Sequence, residues 1–519
     1  MLQFHCATGV IVLRGRTVKR SARRFVLSRV ATPDQKPRMS RWRDSSFVRW
    51  WRAPAPWGAC LLLVLLAFAW RMPYAATSPI VQVDEVKYSL PSVHRLLAGD
   101  AVFYISGTDY GAPIEQAAAA VLFRIFGESA SAFRIPTVLL GSLAVGVFFL
   151  ALRRTVGATA AFGIALPLAL ANSSIARYTT FSHGCYSALL LVVGLIQIAT
   201  MRVDEKRTAA RWLVLGVLMG AGFYVLKLAI FQSFASLAWL WLRSDYFQRF
   251  SERLSDAYLR QRMLAGICTV AAGLFVLAPV LYHYLTRRAT YAISPLEIWF
   301  AAPAAFLCLA GALIVVPTLC APRLREWTPA IGALALLVLI PLPAALWFRQ
   351  VELPRLAARG IEPYAEASYS LKHLHEWPNQ ARLIVEGVLP AVIIGRWDEV
   401  RGFEENETLG WKSAVTAALL VALAFADFRR WKSGRRRPVL RSADFIFIVP
   451  FLLTLAVLFP SWSLHSESSF RYLLPFLPGM FLIAYRCLED RLAAHPRTAA
   501  ALLALYAAYC AFDCFQHIA

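Results

Sequence analysis

The sequence predicts an all-α, polytopic membrane protein, on three observations. The chain of 519 residues is 58% hydrophobic and only 16% charged, with a mean hydropathy of +0.54, too apolar for a soluble chain of this length. Apolar runs long enough to cross a bilayer recur from residue 57 to the C-terminus. The basic loops between those runs fall on one side of the membrane when the runs are threaded in order.

Residues 1–56 carry Arg14, Arg16, Lys19, Arg20, Arg23 and Arg24, few acids and no apolar helical face. This composition predicts a disordered, cytoplasmic, basic tail. It lacks the apolar core and small-residue cleavage site of a secretory signal. Met39, followed by Ser-Arg-Trp-Arg, is an equally good start for the chain.

The membrane domain is expected to occupy 57–519. Its first span, 57–74, starts on the side of the basic tail and delivers Asp84 and Glu85 to the opposite, outer face. Residues 114–126 are too short, and too interrupted by Glu115, Gln116 and Arg124, to cross. They predict an amphipathic helix on the membrane surface, as does the segment after Lys87, with Leu90, Val93, Leu96 and Leu97 on one face. Further spans are expected at 135–152, 157–176, 183–200, 212–226, 228–242, 263–283, 299–320, 328–347, 412–426, 444–460, 471–486 and 498–515, about thirteen in all. This threading keeps Arg153, Arg154, the 201–211 and 243–262 loops, Arg323, Arg325 and the 429–441 loop inside. Outside it leaves the first loop, 75–134, the turn at 177–183, Arg287 and Arg288, the long acidic loop 349–411, and the turn at 461–471. Within 349–411, the apolar stretch 383–394, broken by Gly387 and Pro390, suggests another interfacial helix.

The net charge of +23 is accounted for by cytoplasmic retention of Lys and Arg, and no basic-aromatic module for nucleic acid accompanies it. Nine scattered cysteines with no CxxC pair argue against a disulfide framework or a zinc ribbon. Cys510, Cys514 and His517 share a helical spacing, which reads as helix packing before it reads as a metal site. The adjacent carboxylates of Asp84 and Glu85 at a membrane exit are a functional hypothesis in their own right, because such groups are costly unless paired or used.

The order Val83-Asp-Glu-Val-Lys-Tyr88, Tyr110-Gly-Ala-Pro-Ile-Glu115, Leu122-Phe-Arg-Ile-Phe-Gly127 and Ala132-Phe-Arg-Ile-Pro136 resembles the first outer loop and second span of the GT-C glycosyltransferases. Nearest are the protein O-mannosyltransferases and lipid A aminoarabinose transferases, the bacterial family 39-like branch. Glu467-Ser-Ser-Phe-Arg-Tyr-Leu-Leu-Pro475 is similar to a late Arg-Tyr-Leu-x-Pro stretch of bacterial members. The resemblance implies a multi-pass protein of a bacterial inner membrane with a cytoplasmic N-terminus and a periplasmic active site. It also implies a polyprenyl-phosphate sugar donor, and a lipid, glycan or protein acceptor.

Carried over residue by residue, the resemblance makes Asp84 the catalytic base, with Glu85 as its neighbour. Displacing a lipid phosphate from a sugar needs a carboxylate for the acceptor's proton and cations for the departing phosphate. Candidates on the phosphate side are Arg471, Tyr472, Arg288, Arg287 and Arg134. His183 occupies the place of a second acid that many members carry. With Tyr88, Asp109 and Glu115 it is a candidate for shaping the acceptor pocket. No cofactor is required. A divalent cation, used by the oligosaccharyltransferase branch, has weak support, since Asp84 and Glu85 lack an evident third ligand. The competing reading is a transporter or flippase of lipid-linked sugars, which predicts mid-bilayer charges, broken helices and paired repeats.

Overall fold

The first apolar run becomes α1, Pro56–Thr77, and the second begins at Ser129, whose side chain caps the N-terminus of α4, Ala130–Val156, by accepting from Ala132 N–H. Between them lie a π-helical turn, Glu85–Ser89, its continuation α2, Leu90–Leu97, and α3, Ile114–Phe126. The computed structural model describes residues 56–78, 84–108, 111–182, 184–243, 324–358, 384, 389–394, 411–432, 442–458 and 471–517. Every regular element among these residues is helical. The basic tail, the expected spans 263–283 and 299–320, and the arginine-rich 433–441 segment lie outside them.

The expected amphipathic pair is present. Val93 of α2 packs with Ala119, Ala120 and Phe123 of α3 and with Ala132 and Phe133 of α4, and Leu90, Leu96 and Leu97 close the cluster. The other face of α3 leaves Val121, Ile125 and Phe126 exposed, the two-sided character of a helix seated at an apolar boundary.

Among the described residues five helices are long and apolar enough to span a membrane, and a bent pair counts as a sixth if it is one span, so the expected thirteen is not confirmed. The expected span at 157–176 is bent. α5, Ala158–Ala169, and α6, Ser173–Thr180, meet at 76° across a break. Asn172 starts a new helix there by accepting from Ile175 N–H. Exposed backbone groups inside an apolar bundle must find partners. Arg71 of α1, buried, donates to Leu168 O and Ala169 O at the end of α5, while Asp513 accepts from Ser173 N–H at the start of α6. The break turns α6 so that Ser182, just beyond it, lies against the first loop.

The remaining elements are α7 (Tyr186–Glu205), α8 (Ala209–Val225), α9 (Ala229–Leu242), α10 (Leu324–Leu339), α11 (Leu342–Trp347), a π-helical turn Phe348–Glu352, α12 (Leu353–Ala358), α13 (Leu389–Ile393), α14 (Trp411–Lys432), α15 (Phe445–Leu458), α16 (Leu477–Ala494) and α17 (Pro496–His517). Helical structure thus runs on from Pro329 to Ala358, well past 347, so the expected outer loop 349–411 begins as helix and includes the short α13. Small residues let α8 and α10 approach: a Cβ at Gly216 would meet Ala333 Cα at 2.6 Å, and one at Gly220 would strike Leu336 O. Such small-xxx-small contacts supply packing where lipid removes the hydrophobic drive.

Candidate active site

The two adjacent carboxylates at the start of the π-helical turn go to different partners. Turns of this kind are common at functional sites. Glu85 is completely buried, and its Oε1 and Oε2 accept from Arg134 Nε at 3.0 Å and Nη2 at 2.6 Å. Asp84 keeps 28% of its side chain exposed, and its Oδ2 accepts from Arg471 Nη1 at 3.0 Å.

Arg134 is also fully enclosed. Its Nη1 donates to Ser78 O at 2.6 Å, and its guanidinium lies 4.3 Å from the Phe181 ring centroid. Such a bidentate pair removes both charges from any approaching ligand. Glu85 and Arg134, expected to serve the chemistry and the phosphate, therefore face each other and no open surface.

Ser182 joins this pair to a second buried carboxyl. Its N–H donates to Glu85 Oε1 at 3.0 Å, and its Oγ lies 3.2 Å from Glu115 Oε2. Glu115 also accepts from Thr137 Oγ1 at 2.8 Å. Gln116 Nε2 donates to Ser89 Oγ and Ser182 Oγ, both at 3.1 Å, and Ser89 Oγ donates to Ser182 O. Burial pushes Glu115 above the ordinary carboxylate range, with bonds from Thr137, Ala188 N–H and Ser182 opposing the rise and the Glu85 charge adding to it. Glu115, expected to shape an acceptor pocket, is instead enclosed beneath the π-helical turn.

Arg471 sits among aromatic rings. Tyr472 and Tyr186 lie 5.3 and 5.8 Å from its guanidinium carbon, and its Nη2 donates to the Tyr472 hydroxyl at 3.4 Å. The two tyrosines contact edge to face. The late Arg-Tyr stretch and the first loop, 387 residues apart in sequence, thereby share one end of the bundle. Tyr88, four residues beyond Asp84, is half-buried, with Lys87 over its ring at 5.2 Å.

The first loop is also tied to the extended Pro329–Ala358 helix, a contact that sequence reading missed. Arg95 of α2 forms a bidentate pair with Glu352, at 2.6 and 3.0 Å. Phe103 meets Trp347, Tyr104 meets Phe348, and the Tyr224 hydroxyl donates to Phe103 O at 2.6 Å. Ser182, Ser89, Gln116 and Glu352 carry no local sequence signal, because each is defined by partners distant in the chain. His183, Asp109, Arg287 and Arg288 lie outside the described residues.

The described residues around Asp84 and Glu85 do not form a cation site. No group of three or more His, Cys, Asp or Glu side chains converges among the described residues. Asp84 and Glu85 each turn to a different arginine. Cys514 donates its thiol to Ala171 O and Cys510 is buried, as helix packing requires.

Residues 111–283 match the model of the dolichyl-phosphate-mannose-protein mannosyltransferase family, about a third of the chain. The match includes Glu115, Arg134 and Ser182. Asp84, Glu85 and Arg471 lie outside it. No curated protein matches the chain. Among solved structures, the chain is similar to the oligosaccharyltransferase of Archaeoglobus fulgidus in complex with Zn and sulfate, at 13% identity and a TM-score of 0.38, over 88% of this chain and 52% of that one. The chain therefore spans about half the length of that relative. It is also similar to ArnT from Cupriavidus metallidurans. Bound to undecaprenyl phosphate, that protein aligns at 17% identity and a TM-score of 0.30, over 84% of this chain and 79% of that one. Its apo state aligns at 17% and 0.28, over 83% and 77%.

Proposed function

Starting from a chain whose residues 111–283 match the dolichyl-phosphate-mannose-protein mannosyltransferase family, we propose a membrane glycosyltransferase that moves a sugar from a polyprenyl-phosphate donor to an acceptor hydroxyl. The reaction takes place on the outer, periplasmic face of a bacterial inner membrane. The observation that carries this reading is the Asp84–Arg471 ion pair. It sets a partly exposed carboxylate and a cation with a tyrosine hydroxyl side by side at one end of an apolar bundle.

Asp84 accepts the proton of the acceptor hydroxyl, whose oxygen attacks the anomeric carbon. The bond from that carbon to the phosphate oxygen breaks, and its electron pair leaves with the lipid phosphate. Arg471 and the Tyr472 hydroxyl receive the growing negative charge. A single displacement of this kind inverts the anomeric centre. Glu85, Arg134, Ser182 and Glu115 are positioning residues: they fix the π-helical turn that presents Asp84.

The test offers purified protein a panel of radiolabelled polyprenyl-phosphate sugars with membrane acceptors, and compares the natural sequence with Asp84→Asn. Transfer should fall by roughly two orders of magnitude or more in the variant. Full-rate transfer there would remove Asp84 as the base. Sidedness is read by cysteine labelling from outside. A cysteine at Asp100, exposed within the first loop, should react, and one at Glu205, near the opposite end of α4, should not.

A further inference from the structure

The two groups assigned to the chemistry are bonded to each other. While Arg471 Nη1 holds Asp84 Oδ2 at 3.0 Å, the carboxylate is a weakened base and the cation is partly neutralised for phosphate. We propose that this pair is a resting-state latch that a donor phosphate exchanges: the phosphate takes over Arg471, and Asp84 is released to accept the acceptor's proton. The inference rests on the assignment of these two residues made above.

The surroundings of Arg471 favour exchange over simple addition. Tyr472 and Tyr186 crowd its guanidinium, and the Tyr472 hydroxyl engages Nη2. Nη1, the nitrogen on Asp84, belongs to the planar fork that a phosphate would take in bidentate fashion. Phosphate and carboxylate therefore compete for the same cation. By contrast, Glu85 and Arg134 are completely buried and doubly bonded, so that neighbouring pair stays closed and holds the turn while Asp84 changes partner.

The charges of the reaction drive the exchange in the required direction. A polyprenyl-phosphate sugar is a phosphodiester with one negative charge, and the released polyprenyl phosphate tends towards two. As the carbon–oxygen bond breaks, the phosphate's attraction for Arg471 grows. At the same moment Asp84 takes the proton of the acceptor hydroxyl, becomes neutral and loses its own attraction for the guanidinium. The cation is thus held more tightly by the phosphate in the transition state than in the ground state, which is the condition for lowering the barrier.

The probe is a short-chain polyprenyl phosphate bound to the full chain in nanodiscs, with the matching polyprenol as the phosphate-free control. The variants are Asp84→Asn, Arg471→Ala and Arg471→Lys. Removing the competing carboxylate charge should make Asp84→Asn bind the phosphate on the order of fivefold to tenfold more tightly. Polyprenol binding should not change. A gain in affinity cannot come from a damaged fold, so this readout survives any loss of stability. Arg471→Ala should weaken phosphate binding about tenfold or more, with Arg471→Lys in between. If Arg471→Ala and Arg471→Lys weaken binding while Asp84→Asn binds no more tightly than the natural chain, the exchange is overturned and the phosphate role of Arg471 stands. If both Arg471 variants bind as the natural chain does, the assignment of Arg471 itself fails, and the exchange with it.

Discussion

Replacing Glu85 by Gln leaves the Arg134 guanidinium fully buried and facing an amide in place of a carboxylate. The natural carboxylate accepts from Arg134 Nε at 3.0 Å, from Arg134 Nη2 at 2.6 Å and from Ser182 N–H at 3.0 Å. Both side chains are 0% exposed, so no water takes over the lost contacts. Removing one partner from such a pair costs ~3–5 kcal/mol, because the surviving charge keeps its desolvation penalty. Arg134→Leu should cost a similar amount for the converse reason. Combined with Glu85→Gln it removes both charges, and the double variant should cost no more than either single change. The coupling between the sites should then be ~3 kcal/mol or more, at the upper end for residues in one network.

The assay is thermal inactivation of purified protein in detergent, read as the monodisperse fraction surviving a temperature series, with sugar transfer measured in parallel. A positioning role predicts that transfer returns in the double variant together with stability. Losses that simply add, or a double variant that is stable yet inert, would refute the reasoning. The first result denies the buried pair its cost, and the second makes Glu85 part of the chemistry.

Glu115→Gln tests the second buried carboxyl through pH. The folded state raises the pKa of Glu115, so its proton is held more tightly there than in the unfolded chain. Its stability contribution is complete below the ordinary Glu value near ~4.3 and is lost as pH rises through the higher folded value. The melting temperature of the variant relative to the natural chain should therefore climb as pH is raised from acid to neutral. A pH-independent difference would sink the idea. Gly220→Ala should destabilise by ~1–3 kcal/mol, because its Cβ would press on Leu336 O and on Ile340 Cδ1 at 2.6 Å, whereas Gly332→Ala meets nothing within 4 Å and should be neutral or mildly stabilising. Equal melting temperatures for these two alanine variants would contradict the packing of α8 on α10. Arg95→Ala removes a charge-assisted contact to Glu352 worth on the order of 2 kcal/mol. Hydrogen exchange over residues 98–108 should accelerate in that variant, and unchanged protection there would show that the aromatic contacts alone hold the first loop.

Much of the fold was legible because membrane burial writes itself into composition. The apolar runs at α1, α4 and α7 had to be helices, since lipid offers no partner for an open backbone. Leu90, Val93, Leu96 and Leu97 announced α2 by their spacing, and the breaks in 114–126 announced a helix shorter than a span. The bend in the 157–176 run was hidden, because composition does not show that Asn172 caps a second helix and that Arg71 and Asp513, from α1 and α17, satisfy the break. Neither partner is visible from within the run. The continuation of helix beyond 347 was hidden in the same way, for it is docked through Trp347, Phe348 and Glu352 onto a loop more than 240 residues earlier.

For the site, the amino-acid order alone determined which residue types were available: two adjacent acids past the first span, a late Arg-Tyr stretch, and the segment that the family match covers. It could not say which acid pairs with which arginine. Asp84 and Glu85 are neighbours with the same charge, and only the tertiary packing around the π-helical turn gives one a half-open pair with Arg471 and the other a closed pair with Arg134. That division depends on contacts spanning from 49 to 387 residues of sequence, and electrostatic partners at such separations are chosen by tertiary packing, because local propensity acts only over a few residues.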